Sequence, residues 1–336
     1  MRVRSLGPTG GRLAGLDTTH GLHHRVLGPV RGYNFPMDLS GVYPPITTPF
    51  LDDGRTLDIV GTKRNVERWM TTGLRGLVAL GSNGESALVE ESEADRFVET
   101  VRDAVPSERL LIVGTGREST PATIDASRRA AARGADAVLV RTPSFFKPQM
   151  TEDAFLRHYA AVADASPVPV ILYNFTALTG VTLSVSVVSR LSEHPNIVGM
   201  KESGGDAGFV SSLVNETAPG FQVLVGSAPT FFSSLLCGAD GAIMALACVA
   251  PDECVSIYDL VRGGRIDDAR LLQWRVTPLA RLVTRRYGVP GLKAALGLLG
   301  YIGGPPRPPL LPAPPEAIDT LTAALATLRQ PTSQVV

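Results

Sequence analysis

From residue 42 onward, short apolar runs alternate with stretches in which apolar residues recur every three or four positions. The runs fall at 42–50, 75–82, 110–116, 135–143, 168–175, 196–203, 222–228 and 241–248. Several are almost continuously apolar, such as Val-Pro-Val-Ile-Leu at 168–172, the pattern of a strand covered on both faces. Between them lie helical patterns at 57–72, 91–105, 120–133, 151–166, 185–192 and 206–216, with Thr120 before Pro121 as an expected N-cap. Eight strands alternating with helices predict an α/β protein with a parallel sheet, and eight such units close naturally into a (β/α)8 barrel over 37–250. An open doubly wound sheet is the competitor. Its dinucleotide fingerprint is incomplete, because Ser119 stands where the third glycine after Gly114 and Gly116 belongs.

Beyond 250 the pattern turns helical, at 251–263, 267–288, 290–300 and 316–328, with a proline-dense stretch from Pro305 to Pro315 reading as a stiff connector. This predicts a C-terminal helical extension over 251–330. Residues 1–36 read differently. They carry five arginines and one acid, Asp17, with glycine and proline breaking any helical period. The expectation is a disordered leader or tail ahead of a start at Met37; an organelle presequence is the alternative, and with it a mitochondrial instead of a cytoplasmic location.

Composition narrows the function classes. Lys plus Arg and Asp plus Glu both number 32, giving zero net charge and no electrostatic footprint for nucleic acid or an anionic membrane surface. No apolar run reaches the length of a membrane-spanning helix. Three cysteines without a paired spacing suit a reducing compartment. His158 and His194, the only histidines past the leader, form no metal-binding spacing and read as surface or capping residues. Neither a metal nor a cofactor is expected.

In a barrel the chemistry gathers where strands end at their carboxyl side. Lys201 interrupts the apolar sixth run. A buried lysine loses its preference for the ammonium form and becomes a nucleophile fit for Schiff-base formation with a carbonyl; alternatively it snorkels outward or pairs with Glu202. Tyr173, at the end of the fifth run, is either a proton shuttle or a core aromatic. Gly81-Ser82-Asn83-Gly84-Glu85 is either a cradle for an anion, with Ser82 and Asn83 as side-chain donors, or a plain turn.

Five segments in order, Val-Tyr-Pro-Pro-Ile-Thr-Thr-Pro-Phe at 42–50, Gly-Ser-Asn-Gly-Glu at 81–85, Tyr-Asn at 173–174, Gly-Met-Lys-Glu-Ser at 199–203 and Val-Gly-Ser at 225–227, resemble the dihydrodipicolinate synthase/N-acetylneuraminate lyase family of class I aldolases. The likeness spans about residues 40–310. It implies that Lys201 forms an imine with a 2-oxo acid, that Tyr173 moves protons, that Ser82 joins a hydroxyl relay and with Asn83 and backbone amides holds the carboxylate, and that Ser203 and Gly226 line the pocket. It also implies a homotetramer or dimer of dimers. Within the family, Gly-Ser-Asn-Gly-Glu, Pro-Asn-Ile-Val-Gly-Met-Lys at 195–201, Thr-Arg-Arg-Tyr-Gly-Val-Pro-Gly-Leu-Lys at 284–293 and Gly-Tyr-Ile-Gly-Gly-Pro-Pro at 300–306 are most similar to members that cleave 4-hydroxy-2-oxoglutarate to pyruvate and glyoxylate. Sugar-acid aldolases, hydratase-aldolases and dehydratases of the same family are the alternative, and a catalytically silent 2-oxo acid binder is a third. Three positions depart from the family pattern. Phe145 stands where a relay tyrosine, lent across a dimer interface, is usual. Leu178 stands where dihydrodipicolinate synthases place an arginine for a second carboxylate, and Phe175-Thr176 replaces an apolar-proline pair. An apolar Leu178 makes no bidentate carboxylate contact, which argues against lysine biosynthesis.

Overall fold

The computed structural model describes residues 37–330, so the expected leader at 1–36 lies outside the described residues. In chain order the barrel elements are β1 (Gly41–Tyr43), α1 (Ile59–Trp69), β2 (Gly76–Ala79), α2 (Glu91–Ala104), β3 (Leu110–Gly114), α3 (Thr120–Ala132), β4 (Ala137–Arg141), α4 (Glu152–Ala165), β5 (Val170–Asn174), a one-turn α5 (Thr176–Thr179), α6 (Val185–Leu191), β6 (Ile197–Glu202), α7 (Ala207–Glu216), β7 (Gln222–Val225), α8 (Phe231–Leu236) and β8 (Gly241–Ile243). All seven strand ladders are parallel, in the order β1-β8-β7-β6-β5-β4-β3-β2. The sheet is a (β/α)8, or TIM, barrel. The seam between β1 and β2 is closed by single hydrogen bonds: Arg75 N–H to the Val42 carbonyl (3.0 Å), Val78 N–H to Pro44 (3.0 Å) and Ile46 N–H to Val78 (2.9 Å).

Every strand is shorter than its apolar run, and the reasons are local. Pro44 and Pro45 have no N–H to give a ladder, which ends β1 at Tyr43. After β8, the apolar residues Ala245–Cys248 turn into a short 3-10 helix and stay buried. Their hydrophobicity covers the barrel end and does not extend the strand. Alternation holds within the strands: Val78, Ile112, Leu139, Ile171, Leu224 and Ile243 pack in one cluster, while Leu77, Val113, Val138, Val140 and Leu172 pack in another. Tyr173 belongs to the first set.

The helix caps differ in detail from expectation. Ser119, not Thr120, caps α3, accepting from Ala122 N–H. Thr120 Oγ1 instead lies 2.9 Å from Nδ1 of His158. That histidine, expected at the surface, is 6% exposed, and burial lowers its pKa to about 4. His194 is half-buried in the loop between α6 and β6, its Nδ1 accepting from Asn196 N–H at 3.1 Å.

After the barrel come α9 (Pro251–Arg262), α10 (Ile266–Arg281), α11 (Gly288–Leu298) and α12 (Pro315–Arg329). The single helix expected over 267–288 is broken by a π turn, Leu282–Arg286, and by Gly288 at φ +55°. No helix among the described residues is long and apolar enough to cross a membrane. The helices do not stand apart from the barrel. Lys293 of α11 is 2% exposed and its ammonium meets the Glu85 carboxylate at 2.5 Å and the Pro305 carbonyl at 2.8 Å. The other Glu85 oxygen accepts from Arg307 N–H at 2.7 Å, and Arg307 in turn pairs with Glu93 of α2. A buried pair of this kind strongly disfavours loss of one member, because the survivor stays charged and dehydrated. Lys293→Met is expected to lower stability by about 3–5 kcal/mol in urea denaturation. Adding Glu85→Gln should return part of that loss, the two effects being far from additive.

Candidate active site

The turn that follows β2 is held in an unusual backbone shape. Leu80 and Glu85 have φ of +54° and +55°, a region that side-chain-bearing residues rarely adopt. Two things support it. Gly114 on β3 leaves room for the Leu80 backbone, since a Cβ there would lie 2.0 Å from the Leu80 carbonyl oxygen. At the other end, Glu85 is fixed by Lys293 and Arg307. Inside the turn the Gly84 and Glu85 N–H groups bond the Gly81 and Ser82 carbonyls, so these two amides serve the turn and are not open to a ligand. Thr48 Oγ1 donates to the Gly84 carbonyl at 2.6 Å.

The outcome is the position of Ser82. Its Oγ lies 3.0 Å from the Tyr173 hydroxyl. Tyr173 is the Cα partner of Lys201 in the β5–β6 ladder, so the two side chains rise from the same row of the sheet. The Lys201 ammonium sits 4.1 Å from the Tyr173 ring centroid, a cation–π distance. Lys201 is 3% exposed and has no carboxylate within ion-pair distance among the described residues. Glu202, the alternative partner in sequence, points to the other face. It accepts from Asn174 Nδ2 at 2.7 Å and from Gly204 N–H, and burial raises its pKa against those bonds. Cys248 is also close: burial pushes its thiol well above the ordinary value while the Lys201 charge acts in the opposite sense.

Gly226, just past β7, completes this end of the row. A Cβ there would lie 2.0 Å from Ser203 Oγ, 2.9 Å from Ser203 Cβ and 3.1 Å from Lys201 Cε. Lys201, Ser203 and Gly226 are thus in contact, and only glycine leaves the lysine stem its room.

A cavity of about 430 Å³ opens at the carboxyl ends of the strands. Ser82, Glu85, Tyr173 and Leu178 line it, together with Glu118 and Arg141, two charged residues the motifs did not single out. Arg141 breaks the apolar run of β4 as Lys201 breaks that of β6, so the same signal was present. Glu118 lies in the loop after β3, where no pattern marks it. Lys201, Asn83, Ser203 and Gly226 do not line the cavity; Lys201 lies over the Tyr173 ring, and Asn83 is half-buried. Phe145 is outside it too. It is 77% exposed and stacks edge-on against the likewise exposed Phe146 at 5.1 Å.

The sequence pattern of the dihydrodipicolinate synthetase family matches residues 38–328. The chain belongs to that family. It is 39% identical over 277 residues to the 4-hydroxy-tetrahydrodipicolinate synthase of Methanothrix thermoacetophila, covering 82% of this chain and 92% of that protein. It is 36% identical over 285 residues to the probable mitochondrial 4-hydroxy-2-oxoglutarate aldolase of Emericella nidulans, covering 83% and 92%. Among solved structures it resembles YagE, a prophage protein of the same family from Escherichia coli crystallised with pyruvate, at a TM-score of 0.82 and 30% identity over 87% of this chain and 99% of that one. Membership makes the protein a lyase of the class I aldolase type that acts on a small molecule.

The contacts around Gly226 give a structural test. Gly226→Ala is expected to turn the Ser203 side chain, displace the Lys201 stem and cost about 1–3 kcal/mol of stability. A crystal structure of the variant reads the first two and urea denaturation the third.

Proposed function

We propose that the protein is an aldolase that splits a 4-hydroxy-2-oxo acid into pyruvate and an aldehyde through a Schiff base on Lys201. The observation that carries this is one amine, buried and without an ion-pair partner, beside a hydrogen-bonded Tyr173–Ser82 pair at the carboxyl ends of the strands. In its uncharged form the Lys201 amine adds to the substrate ketone, and loss of water from the carbinolamine leaves a protonated imine. Tyr173 takes and returns protons in these steps, with Ser82 on the far side of its hydroxyl. Ser82 and Asn83 hold the substrate carboxylate, while Ser203 and Gly226 shape the space around the lysine stem. Removal of the C4 hydroxyl proton breaks the C3–C4 bond; its electron pair flows into the imine to give an enamine, and the aldehyde departs. Protonation at C3 and hydrolysis release pyruvate and restore the amine.

The preferred substrate is 4-hydroxy-2-oxoglutarate, giving pyruvate and glyoxylate. Leu178 on the cavity wall argues against the synthase reaction, since it puts an apolar side chain where the synthases use arginine. The likeness to the Emericella nidulans protein points the same way. The exposed Phe145–Phe146 pair supports self-association through that face, as a dimer or a dimer of dimers, which would bring Phe145 toward a neighbouring site. It also favours a second reading, a 2-oxo acid binder with little turnover, because a phenylalanine cannot relay a proton.

Borohydride reduction in the presence of pyruvate is expected to leave a covalent pyruvyl mass on Lys201, located by peptide mass spectrometry; an unmodified Lys201 overturns the mechanism. Release of pyruvate from a panel of 4-hydroxy-2-oxo acids separates the aldolase from the silent binder. Phe145→Tyr is expected to raise turnover by about 100-fold, the low end of a general acid–base contribution. An unchanged rate would assign the relay to another group.

A further inference from the structure

Arg141 is the one cationic side chain lining the cavity among the described residues, and nothing in the proposed chemistry uses it. It ends β4, where it is the Cα partner of Tyr173, which is in turn the partner of Lys201. Three polar side chains therefore stand side by side along one row of the barrel mouth, with Arg141 and Lys201 two strands, about 10 Å, apart at their Cα atoms. Gly116 on the neighbouring strand end makes the space for the arginine: a Cβ there would lie 2.7 Å from Arg141 Cγ.

The guanidinium is half-engaged. Its Nη1 donates to Glu118 Oε1 at 2.7 Å and to the Thr142 carbonyl at 3.2 Å. Nε and Nη2, which form the other edge of the fork, have no hydrogen-bond partner among the described residues. Glu118 is itself a fixed anion. Burial works against its charge, but N–H groups of Phe145 and Ser144, both at 2.8 Å, and Arg141 outweigh it and hold its carboxyl below the usual range. Its charge is thus shared among three donors, which leaves it a weak competitor for the free edge of Arg141. That edge presents two parallel N–H groups at the spacing a carboxylate accepts.

We propose that Arg141 is a specificity-determining residue that binds the second carboxylate of a dianionic 2-oxo acid through its Nε–Nη2 edge. The inference rests on the aldolase reading for the position of the reacting ketone at Lys201 and adds to it the residue that recognises the second carboxylate of that substrate. A five-carbon diacid bound at Lys201 directs its far carboxylate along the row toward β4. Recognition then comes from a different strand than the position held by Leu178.

The test uses the full chain and direct binding by titration calorimetry, with 2-oxoglutarate as the diacid probe and 2-oxobutyrate as the monoacid. The wild type is expected to bind the diacid on the order of 100-fold more tightly, the discrimination that hydrogen bonds to a charged group provide. In Arg141→Gln that preference should collapse to within about threefold, and in Arg141→Lys, which keeps the charge and loses the fork, to an intermediate value. No preference in the wild type, a preference that survives in both variants, or an equal loss for both acids overturns the proposal. Should Arg141→Gln not fold, Arg141→Lys decides alone: a preference reduced by about tenfold or more supports the assignment, and an unchanged one overturns it. Borohydride trapping of pyruvate on the wild type is read separately. A missing adduct beside an intact, Arg141-dependent preference would sink the aldolase reading and leave Arg141 standing as an anion-binding residue.

Discussion

The candidate site depends on a charge pair at its edge. Glu85 and Lys293 meet with their side chains almost fully shut off from solvent, one at the end of a strained turn and the other on a helix more than two hundred residues later. The turn holds Ser82 against Tyr173, and Tyr173 in turn roofs Lys201. Neither positive φ in that turn is favourable by itself. Its shape persists because the C-terminal helices, the Arg307 amide and the gap left by Gly114 all act on it at once. The helices after β8 are therefore part of the machinery that aims the barrel mouth, and their proline-rich connector carries the Pro305 and Arg307 backbone groups that complete the pair.

Barrel geometry explains why so few residues suffice. In a parallel ladder the register places every second residue of neighbouring strands in a common row. Arg141, Tyr173 and Lys201 occupy one such row, and Leu224 is the next partner along it. The row combines three chemically different groups at strand spacing without any loop having to position them. Glycines at 116 and 226 do the complementary work, opening room for the long stems of Arg141 and Lys201. The chemistry is divided between strands that carry the functional groups and glycines that let them stand upright.

The strand count, the barrel and the positions of Lys201 and Tyr173 were legible in the chain, because an interruption in a buried apolar run is a local signal. Arg141 gives the same signal at the end of Ala-Val-Leu-Val, outside the segments that resemble the family. Other features had no local signal to offer. Glu118 takes its role from backbone amides twenty-six and twenty-seven residues away, and Lys293 from a carboxylate on the opposite side of the chain. Strand ends were overestimated wherever apolar residues continued past the ladder to seal the barrel, as Ala245–Cys248 do. Helix α8, only six residues long, is too short for periodicity to separate it from a loop.

The two prolines that cut β1 short also govern how the barrel can close. A residue without an N–H accepts across the seam but never donates, so Pro44 and Pro45 permit few pairings with β2. Sliding the strand by one position would set carbonyl against carbonyl and turn Tyr43 from the interior toward the helices. What looks like a defect in the first strand is thus an indexing mark. It gives the circle of eight strands a single starting point from which every other row is counted.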